Sequence, residues 1–440
     1  MVVNGGVGER VPLLDSERHG KNCDWTESCM VVVASMLGTG VLGLPLALKQ
    51  TGWTLGLGWL FAVLFMSVYS GILLWKLYMA GHKPHTYADL VFEVFEGRFG
   101  HRCGVWARSF VILVAYSYLF GVCCIFVTAM KISLQELMWN VQLGELGWLL
   151  CTAIFIFPFV QVQSLHEASF MTLMGVATII AVNGIVVGQV VKILYSPKDG
   201  GAVAAATAAT VEAVKGFSLD RINGLTAIAF AFGGHVIFLE VLSEMRKPQD
   251  FKRALFTSQG IMLSNYLVIG VFGFLAYGAA VQSPITMSLP SNTVFSMIAH
   301  LCLMVHVLVA YCIESYVIVI GLEEFLDSKA PRIREALYGK SPKIGWAVLS
   351  GMVLVGSAVV AFCVPNFGDL MSLYSSIGIF SLSFAVPPLL WMVYNYDSMT
   401  NLSVVLHSIL IVGAGTAGLL GLGASAKTIL SQLRMRFLAV

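Results

Sequence analysis

Charge is what this sequence has least of. Only 11% of its 440 residues are Asp, Glu, Lys or Arg, and the net charge is +2. It has no basic stripe of the kind a nucleic-acid backbone requires, so nucleic acid is not an expected partner. Metal-ligand spacing is missing too. The nine cysteines are scattered, mostly inside apolar runs (Cys123, Cys124, Cys151, Cys302, Cys312, Cys363), with no CxxC pair. No HExxH and no nucleophile motif occurs, so neither an enzyme nor a bound cofactor or metal is expected. The alternating ten-residue segments of a membrane β-barrel are absent. Residues 1–25 are polar and lack the apolar stretch of a cleavable signal peptide.

What the chain has in abundance is apolar residues, 58% of the total. No soluble domain of this size could cover so much apolar surface. Runs of about 20 apolar residues recur along its length, the signature of membrane-spanning helices. Eleven spans are predicted, at about 26–48, 53–78, 105–130, 146–163, 168–194, 223–245, 256–280, 293–321, 344–364, 369–394 and 402–424. Residues 79–104 read as a polar, aromatic connection, and 195–222 as an Ala- and Gly-rich loop. Polar tails are expected at 1–25 and 425–440.

The first span contains Ser35-Met-Leu-Gly-Thr-Gly-Val-Leu-Gly-Leu-Pro45. Gly38 and Gly40 flank Thr39, Gly43 follows, and Pro45 cannot donate a backbone bond. Each Gly disfavours helix by about 1 kcal/mol relative to Ala. Broken helix in lipid survives only around a polar cavity or inside protein. The stretch reads as a discontinuous helix holding a small polar solute. The alternative is a continuous helix with small residues at a packing face. The sixth span repeats the pattern, with Gly233-Gly234 beside His235 and after Phe230, Ala231 and Phe232. Five spans separate the two breaks, so the second half must insert with opposite topology. Paired interruptions of this kind point to an inverted-repeat transporter. A half-helix N-terminus suits a carboxylate, and exposed carbonyls suit an ammonium or a cation. An amino acid zwitterion presents both.

Ionisable groups inside spans are costly in lipid and are functional candidates: His235, Glu240, His306, Glu314 and Asp369. His306 and Glu314, eight residues apart, share one helix face. For Asp369, capping the tenth span is a sufficient role, and Pro387-Pro388 reads as a kink. Seventeen of the 26 Lys and Arg fall on segments that are cytoplasmic if the N-terminus is, which favours that orientation. Glu9-Arg-Val-Pro-Leu-Leu14 has the form of an acidic-dileucine sorting address. It tilts the expected location from the plasma membrane toward a vacuolar or lysosomal one.

Leu37-Gly-Thr-Gly-Val-Leu-Gly-Leu-Pro45, Ala229-Phe-Ala-Phe-Gly-Gly-His-Val236, Glu244-Met-Arg-Lys-Pro-Gln-Asp-Phe251 and Val364-Pro-Asn-Phe-Gly-Asp-Leu370 resemble the signatures of the amino acid/auxin permease family. The resemblance covers nearly all of the chain outside the tails. It implies an all-α membrane protein with the ten-helix inverted repeat of leucine-transporter-like proteins (about 26–194 and 223–394), plus an eleventh helix. It implies secondary active transport of amino acids. Carried onto this chain, the substrate carboxylate meets the backbone from Leu37 to Gly40, with the Thr39 hydroxyl nearby. The amino group meets carbonyls near Phe230 to Phe232, and Met36, Phe230, Phe232 and His235 select the side chain. Ser35, Ala231 and Gly233 complete the expected substrate site. In sodium-coupled relatives the ion sits between spans 1 and 8. The ligand positions there are Ala34 and Ala310 in this chain, which favours a proton over sodium, with Glu240, His306 and Glu314 as carriers. A sensor of the same fold, and a sodium-coupled or exchanging variant, stand as alternatives. A channel and an intramembrane enzyme fit the paired breaks less well.

Overall fold

The computed structural model describes residues 23–82, 84, 86–161, 168–195, 218–339 and 341–438. The Glu9–Leu14 pattern and most of the 195–222 loop lie outside them. The described chain is helical, because in lipid only a helix or a closed barrel satisfies every backbone polar group.

The first span is two helices. α1 (Trp25–Met36) opens on a capping box: the Asp24 carboxylate accepts from the Thr26 and Glu27 N–H groups at 2.9 Å, and the Glu27 carboxylate accepts from the Asp24 N–H at 2.9 Å. The helix stops at Met36, and α2 (Gly40–Thr51) resumes at 58° to it. α3 (Trp53–Leu77) is followed by α4 (Tyr87–Phe99), inside the segment expected to be a connection. Its buried residues Tyr87, Leu90, Val91 and Val94 follow the i, i+3, i+4, i+7 spacing of an amphipathic helix, which the surrounding polarity obscured. The Tyr87 hydroxyl ties it to the Leu382 carbonyl at 2.6 Å.

α5 (His101–Leu137) runs 37 residues and is the scaffold against which later helices pack. α6 (Glu145–Ile156) and α7 (Ala168–Leu194) complete the first half. The sixth span divides into α8 (Leu219–Phe230) and α9 (His235–Glu244). α10 (Phe251–Tyr266) passes through a π-helical turn, Leu267–Phe272, into α11 (Gly273–Tyr277). α12 (Val294–Lys329), α13 (Pro331–Tyr338) and α14 (Pro342–Cys363) follow. α15 (Phe367–Tyr374) continues through an eleven-residue π stretch, Ser375–Ala385, into α16 (Val386–Asn395). At the expected kink, Pro387-Pro388 stand in the first turn of α16, directly after this widened stretch. Pro387 and Pro388 cannot donate to the carbonyls one turn earlier, and their rings press against them.

Among the described residues, nine helical stretches are long and apolar enough to cross a membrane, and the bent pair α1–α2 makes a tenth. The expected segment 146–163 is the shorter apolar helix Glu145–Gln161. α17 (Asn401–Leu438) corrects the C-terminal boundary: helix runs well past 424 through the expected tail. Its polar residues are held by earlier spans. Asn223 on α8 donates to the Thr428 hydroxyl at 3.2 Å and accepts from the Ser425 hydroxyl at 3.2 Å. Gln432 donates to Asp369 at 2.8 Å. Asp369 is thus not the cap of α15. Asn366 holds the N-cap position, and the Asp369 carboxylate is spent on α17.

Candidate functional site

The two interruptions meet. A Cβ placed on Gly40 would lie 3.1 Å from the Ala231 Cα and 3.4 Å from the Phe230 Cδ1. Only glycine allows α2 to start so close to the end of α8. The other half of the contact runs through Gly234, where a Cβ would lie 2.9 Å from the Met36 thioether sulfur. The last residue of α1 and the residue before α9 therefore touch as well.

At the first break the backbone is open. The Leu37 N–H donates to the Val33 carbonyl at 2.7 Å, and the Gly38 N–H turns back to Met36 at 2.9 Å. Among the described residues, no backbone acceptor meets the N–H groups of Thr39 and Val41, and no donor meets the carbonyls of Ala34 and Ser35. The Thr39 side chain does not cap α2. The start of α2 thus carries uncompensated partial positive charge, and the end of α1 partial negative charge. The Ser35 hydroxyl is used locally, donating to the Val31 carbonyl at 2.8 Å, and its residue is exposed.

The second break is more closed. Gly233 donates to the Phe230 carbonyl at 3.1 Å, and the Tyr266 hydroxyl donates to the Ala231 carbonyl. Of the three carbonyls expected to face an ammonium, only that of Phe232 has no donor among the described residues. The Phe232 ring stands edge-on to Tyr266, with centroids 5.1 Å apart, and Phe230 lies 6.1 Å from Tyr118 on α5. Ile379 in the π stretch presses on Gly233.

Of the ionisable candidates, His306 comes directly to the first break. Its Nδ1 donates to the Gly175 carbonyl on α7 at 2.8 Å. A carbonyl only accepts, so Nδ1 carries the hydrogen of the neutral ring and the lone pair sits on Nε2. Nε2 has no partner and lies 3.8 Å from where a Gly38 side chain would begin. Glu314 lies two turns farther along α12, within electrostatic reach of Glu240 on α9 and of Tyr118. Neither carboxylate has a hydrogen-bond partner among the described residues. His235 donates from Nε2 to the Ser67 carbonyl of α3 at 2.9 Å.

Four contributors were not among the expected residues: Gly175, Tyr266, Ser67, and Gln259, whose amide donates to the Ser67 hydroxyl at 3.1 Å. Gln259 and Ser67 are polar residues inside apolar runs, which is a legible signal. Gly175 and Tyr266 act through a carbonyl and a hydroxyl that no pattern marks. A further contact joins the two broken spans at the ends of α1 and α9 away from the breaks. Cys23 and Met245 form an isolated parallel bridge, in which Arg246 N–H donates to the Cys23 carbonyl at 2.9 Å.

Comparison with known proteins gives the fold and the family. Among curated sequences, the chain is 24% identical over 432 residues to amino acid transporter AVT1E of Arabidopsis thaliana, covering 94% of this chain and 75% of that one. It is 25% identical over 379 residues to the vesicular GABA transporter of Caenorhabditis elegans, covering 84% and 72%. Among solved structures, the manganese transporter of Eremococcus coleocola superposes with a TM-score of 0.55 at 12% identity, covering 91% of this chain and 86% of that one. The nucleobase-cation-symport-1 family transporter MHP1 gives 0.53 at 12% identity, covering 94% and 92%. These two show the fold, an all-helical transporter of the leucine-transporter type with its first span broken. The family profile described as transmembrane amino acid transporter protein matches residues 21–429, and the chain belongs to that family of membrane transporters.

Proposed function

We propose that this amino acid transporter is proton-coupled and works by alternating access around the meeting point of the two breaks. The substrate carboxylate takes the open N–H groups of Thr39 and Val41 at the positive start of α2. The ammonium takes the open carbonyls of Ala34, Ser35 and Phe232. The observation that carries proton coupling is His306, buried, with its free Nε2 directed at Gly38 and its other nitrogen anchored on α7.

A proton taken up at Nε2 puts a cation and an N–H donor beside the negative end of α1, which both attract. Protonation thus joins α12 to α1, the two helices between which the family resemblance places the ion of sodium-coupled relatives. Loss of the proton removes that tie. Glu240 and Glu314 mark the continuation of the path toward the α9 end, since α9 carries one of them and α12 the other. The Lys and Arg distribution supports a cytoplasmic N-terminus. The vesicular relative and the Glu9–Leu14 pattern support an internal membrane.

The test uses purified protein in liposomes, with sodium replaced by choline and a pH gradient imposed. Amino acid accumulation is expected to be indifferent to sodium and to rise with the proton gradient. His306→Gln is expected to abolish gradient-driven accumulation while leaving substrate exchange at equal pH. A strict sodium requirement without pH dependence overturns the coupling and leaves amino acid transport standing.

A further inference from the structure

The names of the relatives range from lysine and histidine to GABA, so membership of the family does not choose the substrate. Resting on the transport reading above, we infer that Ser67, His235 and Gln259 form the subsite that chooses it, by reading a neutral hydrogen-bond donor at the end of the substrate side chain.

Three spans converge there. His235 on α9 donates from Nε2 to the Ser67 carbonyl on α3 at 2.9 Å, and Gln259 on α10 donates from Nε2 to the Ser67 hydroxyl at 3.1 Å. Both side chains are almost fully buried, at 0% and 1% exposure, so every polar atom they carry needs a partner inside the protein. Each has one atom without any: His235 Nδ1 and Gln259 Oε1. Both are acceptors. Nε2 of His235 must hold the hydrogen, because the Ser67 carbonyl cannot donate, which leaves the lone pair on Nδ1. Nε2 of Gln259 also lies 4.0 Å from the Met36 sulfur. A thioether accepts and does not donate, so the amide nitrogen faces that side and Oε1 is the free atom.

A buried acceptor left without a donor is destabilising. Two in one cluster, beside the meeting point of the breaks, are the complement of a donor that arrives with the substrate. Met36 stands between. Its thioether fills the space against Gly234 and reaches Gln259. Methionine is unbranched and flexible, a filler that swings aside without breaking a hydrogen bond. Met36 is also the last residue of α1, next to the carbonyls assigned to the ammonium, so a side chain leaving the substrate Cα heads into this space. The cluster contains no carboxylate, and burying a cation without a counter-charge is expensive. The expected donor is therefore neutral, an amide NH2 or a hydroxyl, and aliphatic side chains are disfavoured.

The test compares L-glutamine with L-norleucine, which have side chains of similar length with and without the amide. Uptake is measured in liposomes as kcat/KM. The unaltered protein is expected to favour glutamine by more than about tenfold, as sites built for hydrogen bonding do. Gln259→Leu is expected to bring the ratio to near or below one, chiefly by raising KM for glutamine, with norleucine uptake retained. Gln259→Glu keeps the shape and adds the missing counter-charge, and is expected to shift preference toward the cationic L-ornithine. Equal handling of glutamine and norleucine by the unaltered protein overturns the subsite. So does a Gln259→Leu variant that slows both equally while Gln259→Glu leaves the order unchanged. A protein that carries no amino acid at all overturns the transport reading itself, an outcome distinct from transport with an unaltered ratio.

Discussion

The breaks in spans 1 and 6 look alike in sequence, yet they are built differently. The first is bent by 58° and leaves the N–H groups of Thr39 and Val41 and the carbonyls of Ala34 and Ser35 open. The second stays within one continuous span, Leu219–Glu244, and its exposed carbonyls are largely taken, by Gly233 N–H and by the Tyr266 hydroxyl. The contrast assigns them different parts. The first break has free backbone groups of both signs, which the proposed function gives to a zwitterion. The second is a braced surface against which the first is held. Four residues of span 6 outside the helix therefore do not amount to a second backbone cradle.

The contrast can be broken most severely at Gly40. A side chain there has no room against the Ala231 backbone, so Gly40→Leu is expected to abolish uptake, a loss of more than about 100-fold. Gly38 is the internal control. A Cβ there meets nothing nearer than His306 Nε2 at 3.8 Å, so Gly38→Ala is expected to keep most activity. Initial rates in liposomes at matched protein density decide it; equal losses in both variants contradict a contact specific to Gly40.

The brace on the second break gives a smaller effect. Tyr266→Phe removes the hydroxyl that holds the Ala231 carbonyl and leaves a buried acceptor unpaired, at a cost of about 1–3 kcal/mol. The expected result is a lower thermal midpoint and a KM raised by about tenfold, with the pH dependence of uptake unchanged. A variant with wild-type KM and midpoint would show that the carbonyl is satisfied otherwise.

Least affected should be transport in Gln432→Leu. This change cuts the bond from α17 to Asp369, far along the chain from both breaks, and leaves that carboxylate without its amide donor. Stability in detergent is expected to fall by about 1–2 kcal/mol, measured by thermal unfolding, with KM unchanged. A raised KM would place α17 inside the transport cycle and not at its edge.

How much of this was readable in the chain differs by element. The apolar runs gave the spans, since lipid leaves a run of about 20 such residues little alternative to a helix. The glycines of Leu37–Pro45 and Gly233-Gly234 gave both breaks. The amphipathic α4 was obscured because its polar face dominates the composition of 79–104, although Tyr87, Leu90, Val91 and Val94 carry the period. The end of α17 was obscured for the opposite reason. Residues 425–438 are too polar to be expected in a span, and only partners on α8 and α15 hold Ser425, Thr428 and Gln432 there.

The sequence by itself determined that this is a helical membrane protein with two interruptions five spans apart. Those properties follow from hydropathy and from the local cost of glycine in a helix, and both act along the chain. Only the tertiary structure decided that Gly40 meets Ala231, that His306 reaches Gly38, that Glu314 comes within electrostatic reach of Glu240, and that Ser67 and Gln259 belong with His235. Such choices depend on which helix faces which, and a contact between residues more than 200 positions apart, such as Met36 with Gln259, leaves no periodic trace in either segment.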